Sequence, residues 1–189
     1  TYFGAVANAS FGYFGGGRYP SPTLSSVDRI DFSNDTVTAV EKGPLSVARK
    51  GVDATGNDNF GYFGGGNSGS YVTIVDRIDY SNDTATALST GPLSTARYSL
   101  AATGNQSFGY FAGGTPGTKS TVDRVDYSND TETASPKGPL SVARSALAAT
   151  GNSFFGYMAG GDPGPKSTVD RIEYALSLIH ISEPTRRFT

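Results

Sequence analysis

The chain has 189 residues, with 15 Lys and Arg against 17 Asp and Glu and a formal charge of −2. With a pI near 5.3 and no basic run, it lacks the footprint that holds nucleic acid or an anionic membrane surface, and neither is expected as a partner. The absence of cysteine excludes disulfide staples, zinc–thiolate sites and cysteine nucleophiles, and no apolar run is long enough to span a bilayer as a helix.

The first marked element is FGYFGGG at Phe11–Gly17, repeated letter for letter at Phe60–Gly66, with near-copies at Phe108–Gly114 and Phe155–Gly161. Other markers keep step with it. VDR recurs from Val27, Val75, Val122 and Val169, at spacings of 48, 47 and 47 residues. SND starts at Ser33, Ser81 and Ser128, and GPLS at Gly43, Gly91 and Gly138. Each GPLS runs into an Ala-Arg pair ending at Arg49, Arg97 or Arg144. A fixed period of this length is the signature of a repeat architecture.

One unit, taken in chain order from the third copy, predicts four strands. Tyr98–Thr103 is small and apolar and ends in a Gly-Asn turn; Phe108–Gly114 follows. Thr121–Ser128 is the third, closed by a tight Asn-Asp turn, and Thr131–Ser135 the fourth. The Pro- and Gly-containing connection KGPLSVAR leads onward. No segment carries the 3.6-residue apolar stripe of an amphipathic helix. The chain therefore predicts an all-β protein, a β-propeller of four-stranded blades at 1–42, 50–90, 98–137 and, in part, 145–174. Propellers have typically four to eight blades, so the expectation is an open arc or a four-bladed closure. Tyr13, Tyr62, Tyr110 and Tyr157 are expected to pack between blades. The glycines ending each FGYF strand, Gly16, Gly65, Gly113 and Gly160 among them, let the backbone leave at φ values closed to other residues.

Over residues 1–175 these markers resemble the kelch repeat. Gly65-Gly66, Asp79, Pro92 and Arg97 fall on its Gly-Gly, Asp, Pro and Arg positions. Two signature aromatics are replaced: the Tyr position holds Ile30, Ile78, Val125 and Ile172, and the Trp position holds Val37, Ala85 and Glu132. Phe32, Tyr80, Tyr127 and Tyr174 are the candidates to supply that volume. The resemblance implies a kelch-like propeller whose variable loops meet a partner.

Residues 176–189 match nothing in the repeats. LSLIHISEPTR resembles the in-frame translation of a transposase sequencing adaptor, so 176–189 is expected to be a non-native tail and the fourth blade to lack its outer strand. His180, the only histidine, lies in that stretch and is assigned no role.

Repeated polar residues suggest structure before chemistry. Asp31, Asp79 and Asp126 open the turns DFSNDT, DYSNDT and DYSNDT, which bring oxygens close together but lack the Gly and distal Glu of an EF-hand loop. Arg49, Arg97 and Arg144 occur once per repeat at fixed register, which favours a framework Arg–Asp bridge between the third strand and the blade connection over a carboxylate-binding ring. The FGYFGGG glycines are followed by no helix and no Lys-Ser/Thr, so they predict no phosphate loop.

Where the repeats disagree is more informative. The loops after each Gly-Gly are RYPSPTLSS, NSGSYVTI, TPGTKST and DPGPKST. Variable loops on a constant scaffold are where binding resides. Arg18, Tyr19, Asn67, Tyr71, Thr115, Lys119, Asp162 and Lys166 are accordingly the candidate partner-binding residues. No catalytic residue, metal site or cofactor is implied, because the acids are repeated framework residues with no singular pair. The sequence thus predicts a non-catalytic module that binds a protein or glycan. The alternatives are a structural array or adhesin of a phage-like virion and, less favoured, a fragment of a kelch-containing enzyme. An extracellular or virion setting fits best.

Overall fold

The computed structural model describes residues 2–34, 36–164 and 167–175, and the backbone of 178–181. Four antiparallel four-stranded sheets follow one another as the blades of a four-blade β-propeller, as expected from the repeat. The first holds β1 (Gly4–Ala7), β2 (Phe11–Gly15), β3 (Val27–Asp31) and β4 (Val40–Lys42). The second holds β5 (Asp53–Gly56), β6 (Phe60–Gly64), β7 (Val75–Asp79) and β8 (Leu88–Ser89). The third comprises β9 (Ala101–Gly104), β10 (Phe108–Ala112), β11 (Val122–Asp126) and β12 (Ser135–Lys137). The fourth comprises β13 (Ala148–Gly151), β14 (Phe155–Ala159), β15 (Val169–Glu173) and β16 (Leu178–Ile181).

Local chemistry sets each turn. Between the first two strands of every blade, one asparagine (Asn8, Asn57, Asn105 or Asn152) accepts two backbone N–H bonds from the residues two and three ahead. That is an Asx turn, in which the side chain supplies what the backbone lacks. After the third strand, Asp31, Asp79 and Asp126 each accept from the N–H and hydroxyl of the serine two residues on.

Two expectations need correction. The third turn is wider than a tight Asn-Asp hairpin: short 3-10 turns at Tyr80–Asn82 and Tyr127–Asn129 intervene, and the fourth strand of blade three starts at Ser135 rather than Thr131. The cause is a second aspartate that turns inward. Asp83 and Asp130 are buried and bind the preceding blade: Tyr13 and Arg29 donate to Asp83 at 3.0 and 2.7 Å, and Tyr62 and Arg77 to Asp130 at 2.9 and 2.6 Å. Burial works to raise the Asp83 carboxyl, but Tyr13, Lys42 and Arg29 outweigh it and hold it below the ordinary carboxylate range. Secondly, blade four does not stop short. Its outer strand is β16, drawn from the adaptor-like stretch and paired with β15 from Asp170↔Ile181 to Glu173↔Leu178. The alternation in SLIHIS suits that pairing.

Blades meet through complementary faces. Tyr13 stacks on Tyr80 of the next blade at 4.8 Å, Tyr62 on Tyr127 at 4.5 Å and Tyr110 on Tyr174 at 5.2 Å. Three of the four proposed volume-filling aromatics thus do fill the interface; Phe32 is instead half exposed. Three hydrophobic clusters join blade one to two, two to three and three to four. Among the described residues no such cluster joins the fourth to the first.

The GPLS-x-Ala-Arg connection latches each pair of blades. Leu45, Leu93 and Leu140 enter the three clusters. Ser46 and Ser94 donate N–H and hydroxyl to Asp76 and Asp123. Arg49, Arg97 and Arg144, fully buried, pair with Asp76, Asp123 and Asp170 at 2.7–2.8 Å. The bridge expected from one arginine per repeat is therefore present three times.

Asp53 breaks the pattern of the inner strands, where β1, β9 and β13 begin with Gly4, Ala101 and Ala148. It accepts from the N–H groups of Ala54 and Ala102 at 2.9 and 2.8 Å, and burial pushes its carboxyl up to about 6 despite them. Because the folded protein holds this proton more tightly than the unfolded chain, the contribution is full below the unfolded value near 4 and is lost as pH rises towards 6. Asp53→Ala should therefore remove a fall of about 3 kcal/mol between pH 4 and 6.5. Urea titrations of both proteins at several pH values would measure it; an unchanged slope would show that Asp53 ionises normally.

Candidate functional site

The loops after each Gly-Gly and the connections entering the next inner strand lie at the same end of the blades. Their backbones are tied in pairs: Lys50 with Asn67, Tyr98 with Thr115 and Ser145 with Asp162, each through two reciprocal N–H···O bonds of 2.8–3.1 Å. The entry segments are also tied across blades. Gly51 N–H donates to the Tyr2 carbonyl at 2.7 Å, Ser99 N–H to Gly51 at 2.8 Å and Ala146 N–H to Ser99 at 2.8 Å.

All four residues of that chain sit in the left-handed region, Tyr2 at φ 72°, Gly51 at 68°, and Ser99 and Ala146 at 53°. For the three that are not glycine this stores strain of about 1 kcal/mol or more each. The strained segments surround a cavity of about 390 Å³ lined by Tyr2, Lys50, Tyr98, Ser99, Thr115, Ser145, Ala146 and Asp162. That volume is within the range of small-ligand sites.

Of the candidate residues, Thr115 and Asp162 line this cavity directly. Tyr71 stacks on the lining Tyr98 at 5.2 Å, and Asn67 is held to the lining Lys50. Lys119 does not line it; its backbone is paired with Arg144, so it steadies a latch. Arg18 and Tyr19 line a separate, smaller cavity on blade one. Lys166 lies outside the described residues. The framework residues Gly16, Gly65 and Gly113 pack against the carbonyls of Arg49, Arg97 and Arg144, whereas Gly160 has no such neighbour within 4 Å of an added Cβ.

Sequence reasoning missed Lys50, Tyr98 and Ser145. The signal was available: each is the residue after a constant Ala-Arg, and the letter changes in every copy. At the opposite end, cavities of about 450 and 420 Å³ lie between blades three and four and between two and three. Both include Phe108 and repeated framework positions, so they follow from blade packing rather than from any singular residue. Among the described residues no group of three or more His, Asp or Glu is placed to hold a metal ion.

No protein-family model matches the chain, and no curated protein does either. The reading of this site therefore rests on its own chemistry. The lining combines Tyr98, whose ring stacks on Tyr71 outside the cavity, with Lys50, Asp162 and the hydroxyl-bearing Ser99, Thr115 and Ser145. Stacking surface beside dispersed donors and acceptors suits a polyhydroxylated ligand better than an apolar one.

Proposed function

We propose that the chain is a kelch-like propeller segment acting as a non-catalytic binding module, with a glycan as its ligand at the cavity lined by Lys50, Tyr98, Thr115 and Asp162. One observation carries this reading: the cavity is lined where the repeats stop agreeing, while the blades around it keep the same residues. The tyrosine pair offers a flat apolar face for a sugar ring, and the hydroxyls, Lys50 and Asp162 offer partners for its hydroxyl or carboxylate groups. A protein partner would use the same loops through exposed Tyr71.

The near-identity of the four units supports a second reading, a structural array or adhesin of a phage-like virion. An adhesin would share the glycan site; a plain spacer would not. Screening the full chain against an oligosaccharide panel, followed by calorimetry on the hits, separates these. A saccharide should bind, and Tyr98→Ala and Tyr71→Ala should each weaken it by about tenfold, a loss of about 1.4 kcal/mol. Unchanged affinity in both folded variants would move the site elsewhere; no binding across the panel would favour the spacer.

A further inference from the structure

The open face of blade one repeats, register for register, the surface that receives the latch in blades two to four. In blade two, the Arg49 guanidinium meets Asp76 at 2.7 Å and the carbonyls of Phe63 and Gly65 at 3.0 and 2.9 Å. In blade three, Arg97 meets Asp123 at 2.8 Å and the Phe111 carbonyl at 3.0 Å. In blade four, Arg144 meets Asp170 at 2.8 Å and the Met158 carbonyl at 2.8 Å. The same registers in blade one carry Asp28, Phe14 and Gly16, since Phe14 pairs with Asp28 as Phe63 does with Asp76.

Among the described residues no guanidinium pairs with Asp28; Arg18 lines the same cavity, and its Nε donates to the Pro20 carbonyl at 3.0 Å. Asp28 is exposed where its three counterparts are fully buried, and among the described residues it makes no hydrogen bond or ion pair. Around it Phe14 and Ile30 are half-buried, against 0% and 3% exposure for Phe63 and Ile78. A cavity of about 220 Å³ opens there, lined by Phe3, Phe14, Gly16, Gly17, Leu24 and Asp28 with others. A carboxylate beside backbone carbonyls and an apolar wall is a receptor for a planar cation on a polypeptide.

We infer that the open face of blade one is a docking site for a Leu-Ser-x-x-Arg segment of a further repeat unit, with Asp28 receiving its arginine. The occupant follows from the three occupied interfaces, each closed by Leu, Ser and Arg of a GPLS-x-Ala-Arg connection. A second copy of this chain does not supply it, because its own Arg49, Arg97 and Arg144 are fully buried in their blades. The opposite terminal face lacks its cover in the same way: Tyr157 is half-buried, whereas Tyr13, Tyr62 and Tyr110 are fully buried. Further units of the repeat would thus add at blade one through the latch. This site is separate from the proposed glycan cavity and does not depend on it.

The test is a fluorescein-labelled peptide of sequence GPLSVARKGV, titrated into the full chain and followed by anisotropy. Saturable binding is expected below about 1 mM, and Asp28→Asn in the protein should weaken it by about tenfold or more. The peptide with its arginine replaced by alanine should lose binding to the same degree, and combining both changes should cost no more than either alone. Asp28 is exposed, so the variant should keep its fold, which circular dichroism would verify. Saturable binding insensitive to Asp28→Asn would overturn the assignment, as would no binding up to about 1 mM.

Discussion

Arg97→Ala should cost about 3–5 kcal/mol and lower the melting temperature by roughly 6–20 °C. Arg97 and Asp123 are both fully buried, with the guanidinium 2.8 Å from the carboxylate and 3.0 Å from the Phe111 carbonyl. Taking this pair out of water is expensive, and burial pulls the guanidinium below its ordinary value while Asp123 opposes that shift. Removing the arginine leaves a carboxylate in the blade interface with, among the described residues, only the Ser94 N–H and hydroxyl as partners. Arg97→Lys keeps the charge and loses the fork that reaches a carboxylate and a carbonyl together, so an intermediate loss is expected. Replacing both partners by apolar residues, as in Arg97→Met with Asp123→Leu, should recover part of the stability, because no unpaired charge remains. Thermal and urea unfolding followed by circular dichroism would measure the series. A loss below about 1 kcal/mol for Arg97→Ala would mean that the pair is solvated, as surface pairs are.

That arginine illustrates what could be read from sequence. Its constancy at one register per unit marked it as framework, and an Arg–Asp bridge from the connection to the third strand was legible. The turn asparagines were legible too, because an Asx turn is a local structure made by one side chain and the next three residues. Features that depend on a neighbouring blade were not. Asp83 looks like the second half of a hairpin turn, yet it faces Tyr13 and Arg29, 70 and 54 residues away. That long-range pull is why the fourth strand begins late. Nor could spacing show that Lys50, Tyr98 and Ser145 converge, since three positions about 48 residues apart meet only once the blades are stacked. Pattern alone also could not assign Leu178–Ile181, whose alternation fits a strand whatever its origin.

Gly91→Ala, like its counterpart Gly43→Ala, should be among the most damaging single-methyl changes at the described residues, with a loss of about 3 kcal/mol or more. Gly91 opens the second GPLS connection, and its N–H donates to the Asp130 carbonyl at 2.7 Å. A Cβ there would overlap the carbonyl oxygen of Glu132, so backbone would have to move away from backbone. Neither side can yield cheaply. On one side Leu93 and Arg97 are buried in the interface; on the other Asp130 holds Tyr62 and Arg77, and Ala134 N–H donates to the Pro92 carbonyl at 2.8 Å. Relief would therefore break the latch or the inward aspartate. Gly117→Ala is the control: it lies at φ 55° with nothing near its added Cβ, so only conformational strain of about 1 kcal/mol applies. The two variants add the same atom, so their difference isolates close approach from backbone conformation. Equal unfolding midpoints for Gly91→Ala and Gly117→Ala would show that the connection stands off from the next blade's turn, and the tight latch geometry would have to be given up.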